Sequence, residues 1–326
     1  MRRAHLKDLE YYLPDGTLDN ETLIEKIPAL KSAKNIFEKT GIRKRHIASA
    51  DECASDLAVK AAEKLFDKNP SLREKVDFLI FCTQSPDYSL PTTACLLQER
   101  LKLSTSCGAI DINQGCSGFI YSLSLAKSLI ESGLAENIIL LTAETYSKYI
   151  ADGDKSTQPI FGDGAAAVYI DTSFGDTEYI RDFVFGTDGS GAENLILKES
   201  GSRHYGKAYD KTSLFMNGPE IFQFALSVIP RTVHAILEKS RLDLKDIDYF
   251  IFHQANAFIL NHLRMKLKIP KEKFCVDMED IGNTVSSSIP IALGRALKFG
   301  VIKSDMCVML LGFGVGYSWG GCILRL

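Results

Sequence analysis

Val76-Asp77-Phe78-Leu79-Ile80-Phe81-Cys82 and Ile247-Asp248-Tyr249-Phe250-Ile251-Phe252-His253 share one construction: an aspartate, an unbroken apolar or aromatic run, and a last residue able to do chemistry. Runs of this length read as strands buried on both faces, as in a parallel sheet covered by helices. The likeness extends outward. Asp111 follows the first copy as Asp277 follows the second. Gly133 and Gly300 each precede a further apolar run, Ile138-Ile139-Leu140-Leu141 and Val308-Met309-Leu310-Leu311. Ala109 to Ile112 and Ala165 to Ile170 are also strand-like. Between the runs lie longer amphipathic pieces, Thr92 to Leu101 and Ser117 to Ser132. The second puts Phe119, Leu123, Ala126 and Ile130 at helical spacing and stops before Gly133. Alternating strands and helices indicate an α/β protein. The doubled β-α-β-α-β text predicts two duplicated halves, about 1–172 and 173–326, packed together without a linker.

Composition narrows the function classes. With 326 residues, 45% hydrophobic and 24% charged, the chain can bury a large core and is neither disordered nor low in complexity. Lys and Arg number 38 against 41 Asp and Glu. That balance is wrong for a nucleic-acid backbone, and the short basic cluster Arg43-Lys44-Arg45-His46 does not change it. The eight cysteines form no Cys-x-x-Cys pair and mostly sit in apolar runs. They read as free thiols in a reducing compartment, with neither a disulfide framework nor a metal site. No apolar leader opens the chain, and no apolar run approaches the roughly 20 residues that span a bilayer. A cytoplasmic protein without membrane attachment is expected. The Gly-, Ser- and charge-rich stretch from Asp188 to Thr212 reads as a long surface excursion, either a lid or a plain insertion.

Four segments carry chemistry. In Asp111-Ile112-Asn113-Gln114-Gly115-Cys116-Ser117-Gly118-Phe119 a strand enters a glycine-flanked turn that opens a helix, which puts Cys116 at a helix amino end. The terminal N–H groups and dipole there favour thiolate over thiol, the placement of a nucleophile. A buried, inert thiol fits the same text. His253 closes a strand, at the end where α/β sheets keep ligands, although core histidines also occur there. Gly282-Asn283-Thr284 is a turn before a helix of small residues, and Asn283 suits either a donor or an N-cap. Gly312 to Gly321 is dense in glycine. It can aim backbone N–H groups at an oxyanion or form a tight hairpin.

Together these segments resemble the β-ketoacyl-ACP synthase III family of the thiolase superfamily. The resemblance runs in order through Thr40-Gly41-Ile42-Arg43, Gln114-Gly115-Cys116-Ser117-Gly118-Phe119 and Phe161-Gly162-Asp163-Gly164-Ala165. It continues through Met216-Asn217-Gly218-Pro219-Glu220, His253-Gln254-Ala255-Asn256, Gly282-Asn283-Thr284 and Phe313 to Gly320. It implies a five-layer αβαβα thiolase-like fold of two duplicated halves, and a homodimer. It further implies that Cys116 takes an acyl group from acyl-CoA or acyl-ACP, and that His253 and Asn283 stabilise the enolate left when malonyl-ACP loses CO₂. The backbone N–H groups of Cys116 and Val315 would form the oxyanion hole. No metal or other cofactor is implied, and the macromolecular partner is an acyl carrier protein.

Departures from the family pattern bear on specificity. The Trp and Arg that sandwich an adenine in relatives priming from acetyl-CoA fall at Asn35 and Lys155, and Lys lacks Arg's planar face. Two basic carrier-protein contacts fall at Phe258 and Gln223, and Val315 interrupts a glycine triplet. These substrate-binding positions suggest a specialised member with a donor other than acetyl-CoA. Competing readings are a Cys-dependent thioester hydrolase, a non-catalytic scaffold, and a non-decarboxylating synthase of the same superfamily. The last would need an acidic base, for which Asp87 is the candidate.

Overall fold

The computed structural model describes residues 1–204 and 213–326. One sheet contains β1 (Arg2–Tyr12), β2 (Phe78–Cys82), β3 (Gly108–Ile112), β4 (Asn137–Glu144) and β5 (Gly164–Phe174), in the spatial order β1-β5-β4-β2-β3. A second large sheet contains β6 (Ile180–Thr187), β7 (Tyr249–Phe252), β8 (Cys307–Gly314) and β9 (Ser318–Arg325), in the order β6-β9-β8-β7. The two orders correspond strand for strand. The directions do too: β4 and β5 pair antiparallel like β8 and β9, and β2 and β4 pair parallel like β7 and β8. Only β3 has no full counterpart, its place beside β7 being held by a single parallel bridge from Phe250 to Phe274.

Six helices complete the layers: α1 (Ala54–Lys68), α2 (Thr93–Arg100), α3 (Gly118–Glu131), α4 (Gly218–Ser240), α5 (Ala257–Lys266) and α6 (Ser288–Lys298). Successive strand residues point to opposite faces, and the core divides accordingly. Leu79, Phe81, Ile139 and Leu141 pack outward with α1 and α2. Ile80, Ile138 and Leu140 pack inward on α3 and α6, where they meet Ile251, Val308 and Leu310 of the second sheet. Phe250, Phe252, Met309 and Leu311 turn outward to α4 and α5. The result is the five-layer αβαβα fold. Every central strand is covered twice, which is why the sequence shows continuous apolar runs there.

The expected strands and the helix before Gly133 appear, with Gly133 at φ 78° closing α3. The strand expected from Ala165 to Ile170 runs on to Phe174. In the expected excursion, Leu195–Ile196 pairs antiparallel with Phe215–Met216; residues 205–212 of it lie outside the described residues. All eight cysteines are free. Among the described residues no helix is long and apolar enough to cross a membrane, and no cluster of three His, Cys, Asp or Glu is placed to hold a metal.

Candidate active site

Cys116 sits in the turn between β3 and α3, only 4% exposed. Glycines make room for it. A Cβ on Gly314 would stand 2.7 Å from the Cys116 sulfur, and one on Gly312 would stand 2.7 Å from the Cys116 carbonyl oxygen. The β8–β9 hairpin therefore lies directly on the Cys116 turn, and a 2.6 Å hydrogen bond between the Ser117 and Ser318 hydroxyls ties the two together. The hairpin tip is a tight antiparallel turn closed by Gly314 opposite Ser318, and the Val315 and Cys116 N–H groups lie near enough to the Cys116 sulfur to favour its charged form.

The thiolate expectation is corrected. Burial pushes the Cys116 thiol up to about 12, and the two N–H groups only partly oppose this. Removing a charge from water costs more here than a helix terminus returns, so Cys116 rests as a neutral thiol.

His253 follows β7 and is buried; burial pushes its imidazole down to about 3, so it too is neutral. Its Nδ1 lies 2.7 Å from the Ser288 Oγ, which also accepts the Gln254 N–H at 3.3 Å. Asn283 is no helix cap, since α6 begins only at Ser288. Its Oδ1 accepts the Val285 N–H at 2.9 Å, which orients the amide. The Nδ2 donates to the Ala255 carbonyl at 3.3 Å and stands 3.4 Å from the His253 Nε2. The Asn283 loop is clamped to the first half: its N–H donates to the Ile160 carbonyl at 2.9 Å, and its carbonyl accepts the Gly162 N–H at 3.0 Å. Gly282, at φ 84°, packs on buried Arg45, whose guanidinium donates to Pro159 O and to Asn20 Oδ1. The basic cluster thus supplies an internal buttress.

Cys116, His253 and Asn283 line one cavity of about 100 Å³, walled otherwise mostly by apolar groups such as Phe161, Leu195, Ile221 and Phe313. The other expected residues lie outside it. Asn35 and Lys155 line a second cavity of about 350 Å³ with Lys31, Lys39 and Asn256; Asn256 also lines the first, so the two adjoin. Phe258 is 50% exposed and packs against Phe222 and His262, and Gln223 is exposed on α4. Asp87 is engaged elsewhere, accepting the Ser55 hydroxyl at 2.6 Å.

Sequence reasoning missed Ser288, Gln84, Tyr146 and Glu144. Glu144 ends β4, fully buried, and accepts from Ser286 Oγ (2.8 Å), Ser85 Oγ (2.9 Å) and the Gln84 N–H (3.1 Å). Burial raises its carboxyl to about 7, opposed by these hydrogen bonds. An acidic residue ending an apolar run was the available signal.

Residues 110–189 match the profile of 3-oxoacyl-[acyl-carrier-protein] synthase III, and residues 237–326 match that of its C-terminal part. The chain is 37% identical to the beta-ketoacyl-[acyl-carrier-protein] synthase III of Clostridium perfringens, covering 100% of both chains. A crystal structure of a 3-oxoacyl-(acyl-carrier-protein) synthase III superposes with TM-score 0.97 at 47% identity, covering 99% of this chain and 100% of that one. The corresponding synthase from Burkholderia xenovorans gives TM-score 0.91 at 36% identity, covering 100% and 95%.

Proposed function

The chain belongs to the 3-oxoacyl-[acyl-carrier-protein] synthase III family, and from that premise we propose that it is an acyltransferase joining an acyl group on Cys116 to malonyl-ACP with loss of CO₂. The observation that carries this reading is the meeting of Cys116, His253 and Asn283 in one small apolar cavity, with the Val315 N–H on the sulfur. In the first half-reaction Cys116 attacks the carbonyl of an acyl-CoA or acyl-ACP. The departing thiolate takes up the proton that Cys116 releases, so acyl transfer is proton-neutral, which suits a resting thiol.

In the second half-reaction the malonyl thioester oxygen lies between His253 Nε2 and Asn283 Nδ2. When Nδ1 accepts from the Ser288 hydroxyl, the imidazole proton is on Nε2, and both groups donate to the enolate formed as CO₂ leaves. The carbanion attacks the acyl carbonyl, whose oxygen collects charge on the N–H groups of Cys116 and Val315. Collapse expels the Cys116 thiolate, which takes a proton and resets the enzyme. This chemistry calls for no metal or redox cofactor. A non-decarboxylating route needs a carboxylate base at the reacting carbon, and neither Asp87 nor Glu144 lines the cavity.

The cavity holding Asn35 and Lys155 is the entrance for the carrier arm, with the carrier protein seated near Phe258 and Gln223. A homodimer is supported by β3, a sheet-edge strand with Ile110 40% exposed, and by the exposed apolar side chains of Tyr88 and Leu90. Free thiols throughout fit a cytoplasmic setting. Intact-protein mass spectrometry tests the mechanism. An acyl adduct should form on the wild type and not on Cys116→Ala, and malonyl-ACP should consume it to give a 3-oxoacyl product. Adducts that only hydrolyse would turn the assignment to a thioesterase.

A further inference from the structure

A two-stage condensation, the reading on which this inference rests, must store the acyl chain while the second thioester occupies the space before His253 and Asn283. A third cavity, about 350 Å³, offers that store. It meets the reaction cavity at Leu195 and reaches the nucleophile at Val315, whose N–H bears on the Cys116 sulfur. Its wall is not uniformly apolar: Gln84, Asn113, Tyr146 and Tyr149 stand in it alongside Leu195 and Leu214.

Gln84 is held from three sides. Its backbone N–H donates to the Glu144 carboxylate at 3.1 Å, and its carbonyl accepts the Tyr149 hydroxyl at 3.5 Å. Its side-chain Oε1 accepts the Tyr146 hydroxyl at 2.6 Å. The amide is pressed against the turn before the nucleophile, for a Cβ on Gly115 would come within 2.5 Å of that same Oε1. With the oxygen spent, the amide nitrogen keeps two N–H donors that find no acceptor among the described residues. Locking the oxygen fixes which end of the amide is presented, and an oriented donor beside a reacting group sorts ligands by whether they can accept from it. Among the described residues no Lys, Arg or His lines this chamber. A carboxylate on the chain would find no counter-charge among those lining residues, and Glu144 behind Gln84 would repel it. An uncharged oxygen meets neither cost.

We infer that this chamber selects acyl thioesters carrying an uncharged hydrogen-bond-accepting oxygen on the chain, of the 3-hydroxyacyl kind, and that the Gln84 amide nitrogen is the donor that reads it. Plain alkyl chains offer that donor no acceptor and are the poorer substrates.

Rates of Cys116 acylation, followed by intact mass with butyryl-CoA and 3-hydroxybutyryl-CoA as a matched pair, test this. The wild type should favour the hydroxylated donor roughly tenfold, the scale of one net hydrogen bond. Gln84→Leu should bring the ratio near one, chiefly by slowing the hydroxylated donor. Tyr146→Phe, which frees the amide without removing it, should lower the ratio part-way. Melting curves identify any variant that fails to fold. A wild-type preference for butyryl-CoA, or an unchanged ratio in folded Gln84→Leu, overturns the inference. The expected ratio on adducts that malonyl-ACP cannot consume would overturn the condensing reading and leave the role of Gln84 standing. No adduct from any thioester would overturn both.

Discussion

At the scale of single residues, the site runs on neutral groups whose charge states are set by burial. Cys116 is held as a thiol and His253 as an imidazole, each by the cost of placing charge in an apolar cavity. In the proposed mechanism Asn283→Ala removes one of two enolate donors and leaves the N–H groups near the sulfur intact. Removing a preorganised donor typically costs about 100- to 1000-fold, so condensation should fall by that much while single-turnover acylation stays near normal. Equal loss in both half-reactions would remove Asn283 from the role given to it. Glu144 supplies the pH dependence. Its contacts all donate and are made in full only to the carboxylate, but burial outweighs them and raises the carboxyl to about 7, so that form accumulates only above neutrality. Condensation should therefore rise as pH climbs through 7, and Glu144→Gln should flatten that limb. His253, pushed far below its ordinary value, should contribute no limb near 6.5. Stability moves the other way. A carboxyl whose folded value is raised stabilises the fold fully below its ordinary value near 4.5 and loses that contribution as pH rises to 7.

At the scale of elements, the site is a contact between a helix start and a hairpin. α3 begins against β8, and the approach is so close that Gly312 touches backbone: an added Cβ would meet the Cys116 carbonyl oxygen and the Ser117 Cα, each at 2.7 Å. Backbone cannot swing aside as a side chain can. Gly312→Ala should therefore cost about 1–3 kcal/mol, as overpacking does, read as a lower urea midpoint, and should slow acylation by shifting the turn. Gly189→Ala, where an added Cβ meets nothing within 4 Å, serves as the control. Elements also mark where sequence reading stopped. β1, Arg2-Arg3-Ala4-His5-Leu6-Lys7-Asp8-Leu9-Glu10-Tyr11-Tyr12, turns Ala4, Leu6 and Leu9 into the core and keeps its other residues partly or fully exposed. It carries no continuous apolar run to find. β6 escaped for the same reason, only Ile180 of its eight residues being buried.

At the scale of the whole molecule, the halves are interdependent. α3 and α6 form one shared central layer, and the Asn283 loop hydrogen-bonds to Ile160 and Gly162 across the join. We propose 1–172 and 173–326 as the two units, neither of which folds alone, because each would expose the inner face of its sheet. Each piece expressed separately should lack near-ultraviolet circular dichroism and bind hydrophobic dyes, and mixing should restore some of the signal. A native-like spectrum from one piece would show that the central layer is not needed to stabilise it.

The sequence by itself determined the α/β class, the duplication, and the candidacy of Cys116, His253 and Asn283, because buried strands and tight turns impose local patterns that one chain can display. Tertiary structure decided what depends on groups far apart along the chain. It brought the three residues into one cavity and made Cys116 a thiol despite its place at a helix start. It set Arg45 inside as a buttress, and it placed Gln84, backed by Glu144, against the Cys116 turn. Charge state and cavity shape arise from whatever surrounds a side chain in space, and no periodicity along the chain encodes that.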